Sequence, residues 1–541
     1  MNLLMINPTR VIGALAAFAA ASALSLQAQC TINMGSTQQT IDGFGDSSAW
    51  CGVFSTAKQN SLWQTLGFSL LRIRIDQGGT LSNEAPWQDE ISNAANAHAA
   101  GLKVFGTCWT VPSQWQTGNG EIITNDSAAY GTWLSQAASA HNLDWTSPQN
   151  EPDGANWTYN DYFNFMLNGS SQIVNSGRAL MMPESWGFND NYSDPSLNNS
   201  TTDSRITIVG GHLYAGGLYV HTNALNHGKH VWMTEYYFDG PNNIGACMSL
   251  AQNIQDCMND QFSAYVYWWD NDNDTNTVMV LSSGAINKQG YVEGQFAKYI
   301  RPGATRVAAT YTPQSGVYVT AYNSGGNLVI VALNENTGSV NQQFNISGGS
   351  VGSVQPYQTS ASESMASLAS INVGNNSFTT SLPSQSLTTF VQTSSGSGPA
   401  NGTYKLIVKS SGQSMDVAGA ATTNGTQIDQ WPYHSASNEQ WTITSIGSGL
   451  YTIIGVQSGK SVDCSNWGTA NGTKVQIWTY DGGTNQKYLF TSAGGGYYEI
   501  SPSYLTGSCL DEYGDTQTDG AVVDLWQSNG GANQQWSPEA P

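Results

Sequence analysis

The segment LDWTSPQNEPDG, residues 143–154, carries an apolar run up to Asn150, Glu151 and Pro152. A second run, HVWMTEYYFDG from His230, closes on Glu235 and passes at once into aromatics. A carboxyl at the tip of each of two strand-like runs can do acid–base or nucleophilic work. One can stay ionised and attack while its partner donates a proton and later takes one back, if their surroundings keep the two apart in protonation. An ion pair or a solvated loop acid is the plain alternative, but 17 Lys plus Arg against 38 Asp plus Glu leave few basic partners. Around the two acids stand side chains suited to a sugar. Trp109 and the pair Trp268–Trp269 offer flat apolar faces for pyranose rings. Strand alternation lets only one of the pair point inward, and the facing argument prefers Trp269. Tyr214 in GGHLY, at the end of a strand-like run, is expected to bond Glu235 and His212 to line the same mouth, and Asp46, Trp50, Trp115 and Tyr237 are outlying candidates for further subsites.

These residues need a scaffold that gathers strand ends. Eight strand-like runs, TIDGFG, SLLRIRID, LKVFGTCW, LDWTSP, ALMMPE, ITIVGGHLY, HVWMTE and FSAYVYWW, lie between about residues 40 and 270. Helix-like segments such as APWQDEISNAANAHAA (85–100) and SAAYGTWLSQAASAH (127–141) separate them. Regular β/α alternation of this length predicts a closed (β/α)8 TIM barrel over 41–303, with catalytic residues at the strand C-termini. Glu151 and Glu235 then follow strands four and seven. After RPG (301–303) the pattern changes to period-two strands with Gly and Asn turns, an antiparallel β block over 304–393, which the segment 29–40 could extend.

SSGSGPANG, 394–402, reads as a flexible linker. Beyond it, over 403–541, SMDV, SVDC and SCLD place Asp416, Asp463 and Asp511 at steps of 47 and 48 residues, and NEQW, NQKY and NQQW repeat at the same steps. Three copies of an all-β unit predict a β-trefoil, in which no copy buries its apolar face alone.

Composition narrows the class. Charged residues are 10% of the 541, aromatics 11%, and there are 58 glycines, a makeup suited to carbohydrate handling outside the cell. A formal charge of −21 disfavours nucleic acid and anionic membranes as partners. Residues 1–28 read as a signal peptide: Arg10, an apolar run from Val11 to about Leu26, and Leu26-Gln27-Ala28 before cleavage, so the expected location is extracellular. Seven cysteines without a CxxC or a nearby His cluster argue against a zinc site, and export permits one or two disulfides of unassigned pairing. No cofactor or metal motif occurs, and a monomer is expected.

Residues 29 to about 393 resemble glycoside hydrolase family 30, on QTIDGFGDSSAW, SPQNEPD, GGHLY, VWMTEYY, the tryptophan pair and KQGYVEGQFAKYIRPG, the last similar to the family's xylanase subgroup. Residues 403–541 resemble the ricin-type trefoils of carbohydrate-binding module family 13. The resemblance implies a barrel joined to a side β-sandwich, with a retaining mechanism whose carboxyls stand about 5 Å apart. It makes Glu235 the nucleophile and Glu151 the acid/base, Asn150 the partner of a sugar 2-hydroxyl, and Arg72 the cation beside the nucleophile. Arg72 could instead pair with Asp76 on its own strand. In the trefoil it implies sugar pockets of Asp, an aromatic about seventeen residues on, and Asn: Asp416, Tyr433 and Asn438 in copy one, Asp463, Tyr480 and Asn485 in copy two. Copy three has Asp511 and Asn533 but Ser528 in the aromatic's place, and copy one has Glu439 where the others have Gln486 and Gln534.

The expected function is a secreted retaining endo-β-1,4-xylanase acting on xylan. Other family 30 activities (glucuronoxylanase, β-1,6-glucanase, glucosidase or fucosidase) and a catalytically inactive lectin are the alternatives. Xylanases of this branch that need a glucuronosyl side chain grip its carboxylate with an arginine just after strand eight. Here that stretch, YWWDNDNDTNTVM (267–279), has Asn271 and Asp272 with Asp270 and Asp274 beside them, so cleavage independent of glucuronosyl groups is expected.

Overall fold

The computed structural model describes residues 28–76, 85–274, 276–349, 351–393, 398–447 and 450–541. The expected signal peptide, Ala28 apart, and residues 394–397 of the expected linker lie outside the described residues.

Strand β1 (Gln29–Thr40) precedes eight parallel strands, β2 (Gly43–Ser47), β3 (Leu70–Ile75), β4 (Lys103–Cys108), β5 (Trp145–Ser147), β6 (Ala179–Ser185), β7 (Ile206–His212), β8 (His230–Glu235) and β9 (Ala264–Tyr267). They close into a barrel in chain order, β9 pairing back on β2. Period-two alternation divides their side chains. Leu70, Phe105, Met181, Ile208, Trp232, Ala264 and Val266 fill the lumen, while Leu71, Val104, Met182, Val209, Val231 and Met233 pack outward under the helices. Three register shifts break the β6–β7–β8 pairing, one between Leu180 and Met181 and two at bulges near the mouth. Gly211 pairs with Met233 but His212 with Glu235, so Thr234 is an extra residue of β8; Pro183 pairs with Gly210 but Ser185 with Gly211, so Glu184 is an extra residue of β6. Each bulge re-aims a carboxyl toward the barrel mouth.

The antiparallel block supplies β10 (Thr305–Ala309), β11 (Val317–Ser324), β12 (Asn327–Asn334), β13 (Val340–Ser347), β14 (Ser353–Thr359), β15 (Ala366–Ser367), β16 (Ile371–Asn372), β17 (Ser377–Leu382) and β18 (Ser386–Thr393). β1 lies between β10 and β13 in this ten-stranded sheet. The sheet folds back on itself: β17 and β18 stand far apart in its order, yet the Phe378 and Phe390 rings are 5.4 Å apart. β12 reads as a continuous apolar run because both its faces are buried, Leu328 and Ile330 within the sandwich, Val329 and Val331 against the barrel. Polar ties add to that joint, the amide of Gln255 donating to the Val331 carbonyl at 2.9 Å and the Thr389 hydroxyl to the Gln295 carbonyl at 2.8 Å.

Residues 402–539 form a twelve-stranded all-β unit around a separate core that includes Trp441, Tyr488 and Trp536, the closing aromatics of the three repeats. All seven cysteines are free thiols. Among the described residues, no helix is long and apolar enough to cross a membrane.

Candidate active site and sugar pockets

Glu235 ends β8 at the barrel mouth with its side chain 8% exposed. The Arg72 guanidinium on β3 donates to Glu235 Oε2, and the Tyr214 hydroxyl donates to Oε1 at 3.0 Å. Arg72 thus turns to the nucleophile candidate, while Asp76 pairs with Arg74 at 3.3 Å. The same guanidinium donates to Asn150 Oδ1 at 2.7 Å, which fixes the amide beside Glu151. Glu151 follows β5 with φ +44, a left-handed conformation unusual for a side-chain-bearing residue and common at functional sites. Its backbone N–H donates to the Glu184 carbonyl at 3.0 Å, and Oε1 lies 3.0 Å from His212 Nδ1. One oxygen of Glu151, one of Glu235 and a ring nitrogen of His212 all fall within 4.8 Å of one another. That separation is what a two-carboxyl double displacement uses, about 5 Å; inversion needs room for a water between the pair.

His212 therefore sits at the centre. β7 can bring it there because Gly211 lies against Phe188, where an added Cβ would meet the ring at 2.3 Å. Burial opposes a charge on its imidazole, but Glu235, Glu151 and Glu184 outweigh burial and push its pKa up to about 9. The residue that sequence reasoning missed is Glu184. It is fully buried, has φ +55, accepts from the Thr107 hydroxyl and lies 3.3 Å from Arg72 Nε. Burial would raise its pKa, yet Arg72 and His212 hold it down at about 2. Its signal was available: ALMMPE ends on an acid, as the strands leading to Glu151 and Glu235 do. The Glu151–His212–Glu235 donors are types a metal accepts, but Arg72 already occupies Glu235 and the surrounding carboxyls raise the His212 pKa, which favours an internal imidazolium over a metal ion.

Trp109 lies under Arg72, ring centroid 4.7 Å from Cζ, and with Asn150, Glu151, Asn119 and Asn156 lines a cleft of about 360 Å³. The facing argument preferred Trp269, but Trp268 is the residue turned to the site, 5.7 Å from Arg72 Cζ and 5.8 Å from Trp109. Trp269 stacks behind Trp268 at 5.1 Å and donates its indole N–H to the Ala49 carbonyl. β9 ends at Tyr267, so strand alternation does not govern either tryptophan. Trp50, half exposed, meets Trp109 edge-on at 5.1 Å, and Tyr237 stands 5.8 Å from Tyr214 at the rim. Trp115, partly buried, packs on Tyr130 and Trp133, and Asp46 is fully buried beside Asp270, out of a substrate's reach.

In the trefoil, Asp416, Asp463 and Asp511 accept from the amides of Asn438, Asn485 (2.9 Å) and Asn533 (2.9 Å). The aromatic assignment requires correction. The cavity of copy one is lined by Trp431 with Asp416, Asp429, Asn438 and Glu439, that of copy two by Trp467 and Trp478 with Asp463, Gln476 and Asn485. Tyr433 and Tyr480 line neither; Tyr433 has Lys405 over its ring at 4.8 Å and accepts from Gln440. The offset was two residues too long. Trp431, Trp478 and Trp526 recur at the repeat's own steps of 47 and 48, and Trp526 with Tyr513 completes the cavity of copy three despite Ser528. Gln486 and Gln534 each donate to their Asp at 2.9 Å, whereas Glu439 has no such proton and accepts from the His434 and Ala436 N–H groups. Burial, then the Glu439 charge, push the Asp416 pKa up to about 6.

Comparison with known proteins places this architecture. Residues 389–478 and 484–540 match the family model for ricin-type beta-trefoil lectin domain-like sequences. The chain is 32% identical over 394 residues to glucuronoxylanase XynC of Bacillus subtilis strain 168, covering 67% of this chain and 91% of that protein. Among solved structures, a GH30 endoxylanase from Clostridium papyrosolvens C71 is 39% identical (TM-score 0.63, 67% of this chain, 99% of that one). A glycoside hydrolase family 30 subfamily 8 xylanase from Clostridium acetobutylicum is 38% identical (TM-score 0.65, 68% and 99%). With its barrel, its side sheet and its paired carboxyls at strands four and seven, the chain belongs to glycoside hydrolase family 30 and carries a ricin-type β-trefoil lectin-like domain at its C-terminal end.

Proposed function

We propose that this protein is a secreted, retaining endo-β-1,4-xylanase whose trefoil holds it on polysaccharide. The observation that carries the reading is the approach of Glu151 and Glu235 to within 4.8 Å at the mouth of the barrel, with Arg72 and Tyr214 fixing Glu235. In the first step a Glu235 oxygen bonds to the anomeric carbon, the glycosidic C–O bond breaks, and the Glu151 proton passes to the leaving oxygen. In the second, Glu151 takes a proton from water, the hydroxyl oxygen bonds to the same carbon, and Glu235 leaves as carboxylate. Two displacements retain the β configuration. The Arg72 bond to Asn150 Oδ1 leaves the amide N–H groups for the sugar 2-hydroxyl, and Trp109 and Trp268 supply the apolar faces.

Cleavage independent of glucuronosyl groups is part of the proposal, although the Bacillus subtilis relatives are named glucuronoxylanases. The loop after β9 supports it. Asp270 is buried and accepts from the Met279 and Val280 N–H groups. Lys58, the cation reaching this loop, is consumed internally, donating to the Asp270 carbonyl at 2.6 Å and to Asp272 at 2.7 Å. Arg74 is stacked on Trp50 at 4.4 Å and paired with Asp76. The test is product analysis on unsubstituted, arabinosylated and glucuronosylated xylans. Comparable cleavage of all three is expected, and loss of cleavage on removing glucuronosyl groups would overturn the specificity.

A further inference from the structure

Three carboxyls and two cations share the barrel mouth, and only two of the carboxyls have a part in the displacement. Glu184 cannot reach a sugar: it has no exposed surface and sits behind Arg72, 3.3 Å from Nε, and 3.9 Å from His212 Nε2. We propose that Glu184 is a positioning residue that acts through charge, its buried carboxylate making the cluster of Arg72, His212, Glu184 and Glu235 neutral when Glu151 carries its proton. The inference rests on the retaining reading above.

The groups facing this cluster come from every neighbouring strand. They are Arg72 on β3, Thr107 on β4, Glu151 after β5, Glu184 on β6, His212 on β7 with Tyr214 beyond it, and Glu235 on β8; Tyr162 approaches Glu184 from the helix Tyr159–Asn168. Burial holds both tyrosines neutral, helped by Glu235 at Tyr214 and by Glu184 at Tyr162. Arg72 and His212 then stand against Glu184 and Glu235, two cations and two carboxylates, with Glu151 left as the proposed acid. When Glu235 becomes an ester its charge disappears, and in the same step Glu151 gives its proton to the leaving oxygen and becomes the second anion. The balance is unchanged, and the second displacement reverses the transfer. One negative charge moves between two carboxyls that flank the same imidazole, 3.0 Å and 3.7 Å from its nitrogens.

Without Glu184 the cluster carries an excess positive charge in both states. An uncompensated cation within hydrogen-bond range pulls a proton off a neighbouring carboxyl. With Glu184 gone, the uncompensated Arg72 and His212 charges favour the ionised form of Glu151, which then has no proton to give to the leaving oxygen. The structure also ties Glu184 to Glu151 directly, through the Glu151 N–H donated to the Glu184 carbonyl, but that link does not depend on the side chain.

The experiment is the pH profile of kcat/KM on linear xylan for the full chain, Glu184→Asp and Glu184→Gln, with a dinitrophenyl xylobioside as a substrate that needs no acid. The alkaline limb on xylan is expected to fall in the order parent, Asp, Gln. The Gln variant should move by about one pH unit, an approximately tenfold loss at fixed alkaline pH, and the aryl substrate should move less. If the Gln variant does not fold, the Asp variant carries the test alone, since its carboxylate is drawn back by one methylene and its limb must still drop. A limb at the parental pH in either folded variant, with activity lowered evenly across the profile, would overturn the proposal and leave Glu184 a structural residue. A parent that does not hydrolyse xylan at all would instead overturn the function on which it rests.

Discussion

Replacing Tyr214 by Phe removes one oxygen and leaves the ring where it packs, 5.4 Å from Tyr236 and 5.8 Å from Tyr237. The lost hydroxyl donates to Glu235 Oε1 at 3.0 Å, so the bond is of the charged kind, worth about 1.5–3 kcal/mol. At about 1.36 kcal/mol per decade the expected fall in kcat/KM is roughly 10- to 150-fold. The structure gives the reason. Arg72 holds Oε2 and Tyr214 holds Oε1, and the two fix the plane of the carboxylate that, in the proposed mechanism, meets the anomeric carbon. With one anchor the group can swing, and misplacement of about 1 Å costs on the order of 100-fold. The assay is kcat/KM on xylan and on an activated aryl xylobioside, because a nucleophile defect slows glycosylation on both, whereas an acid defect spares the activated substrate. A loss under about threefold on both, in a variant whose melting temperature is unchanged, would show that the Tyr214–Glu235 bond has no part in the reaction and would refute the reasoning.

Trp431→Ala with Trp478→Ala should weaken retention on insoluble xylan more than tenfold in a pull-down, while Tyr433→Ala with Tyr480→Ala should leave it nearly unchanged; equal losses would reinstate the tyrosines. Deleting residues 394–541 should spare turnover of soluble xylan and lower it on insoluble material, since a tethered binder raises local concentration without joining the chemistry; equal loss on both would link the trefoil to catalysis. Asp416 binds its proton more tightly folded than unfolded, with a pKa pushed up to about 6, so its stabilising share is full below the ordinary carboxyl value and is lost as pH rises through 6. Glu439→Gln restores an N–H donor to Asp416 and should flatten the fall in trefoil melting temperature over that window.

The barrel was legible because its strands are apolar runs spaced by helix-like segments, and because a barrel puts its chemistry at strand ends. That rule singled out Glu151 and Glu235; their proposed roles, and Arg72 inside β3, came from the likeness to family 30. Glu184 was passed over although ALMMPE ends on an acid; strict alternation from Met181 inward and Met182 outward turns it away, and the bulge that reverses its direction, as one does at Glu235, is a property of pairing with β7 that one strand's sequence does not display. Trp268 was set behind Trp269 for a related reason, alternation carried past the end of β9. His212 entered only as a neighbour of Tyr214, since its place among three carboxyls depends on other strands. In the trefoil the period was plain and the polar ends of each repeat were found, but the aromatic was fixed by an offset instead of by the period itself. The 47- and 48-residue steps apply to Trp431, Trp478 and Trp526 as well as to the aspartates, and Ser528 breaks the tyrosine series.

The central claim is that Glu235 attacks and Glu151 serves both displacements, and the anomeric configuration of the first products tests it most directly. Proton NMR of linear xylan during the first minutes of hydrolysis should show β-anomers appearing first and relaxing to the equilibrium mixture, and Glu235→Gln should abolish the signal while binding persists. Initial α-anomers would mean a single displacement by water, contradicting the nucleophilic role of Glu235.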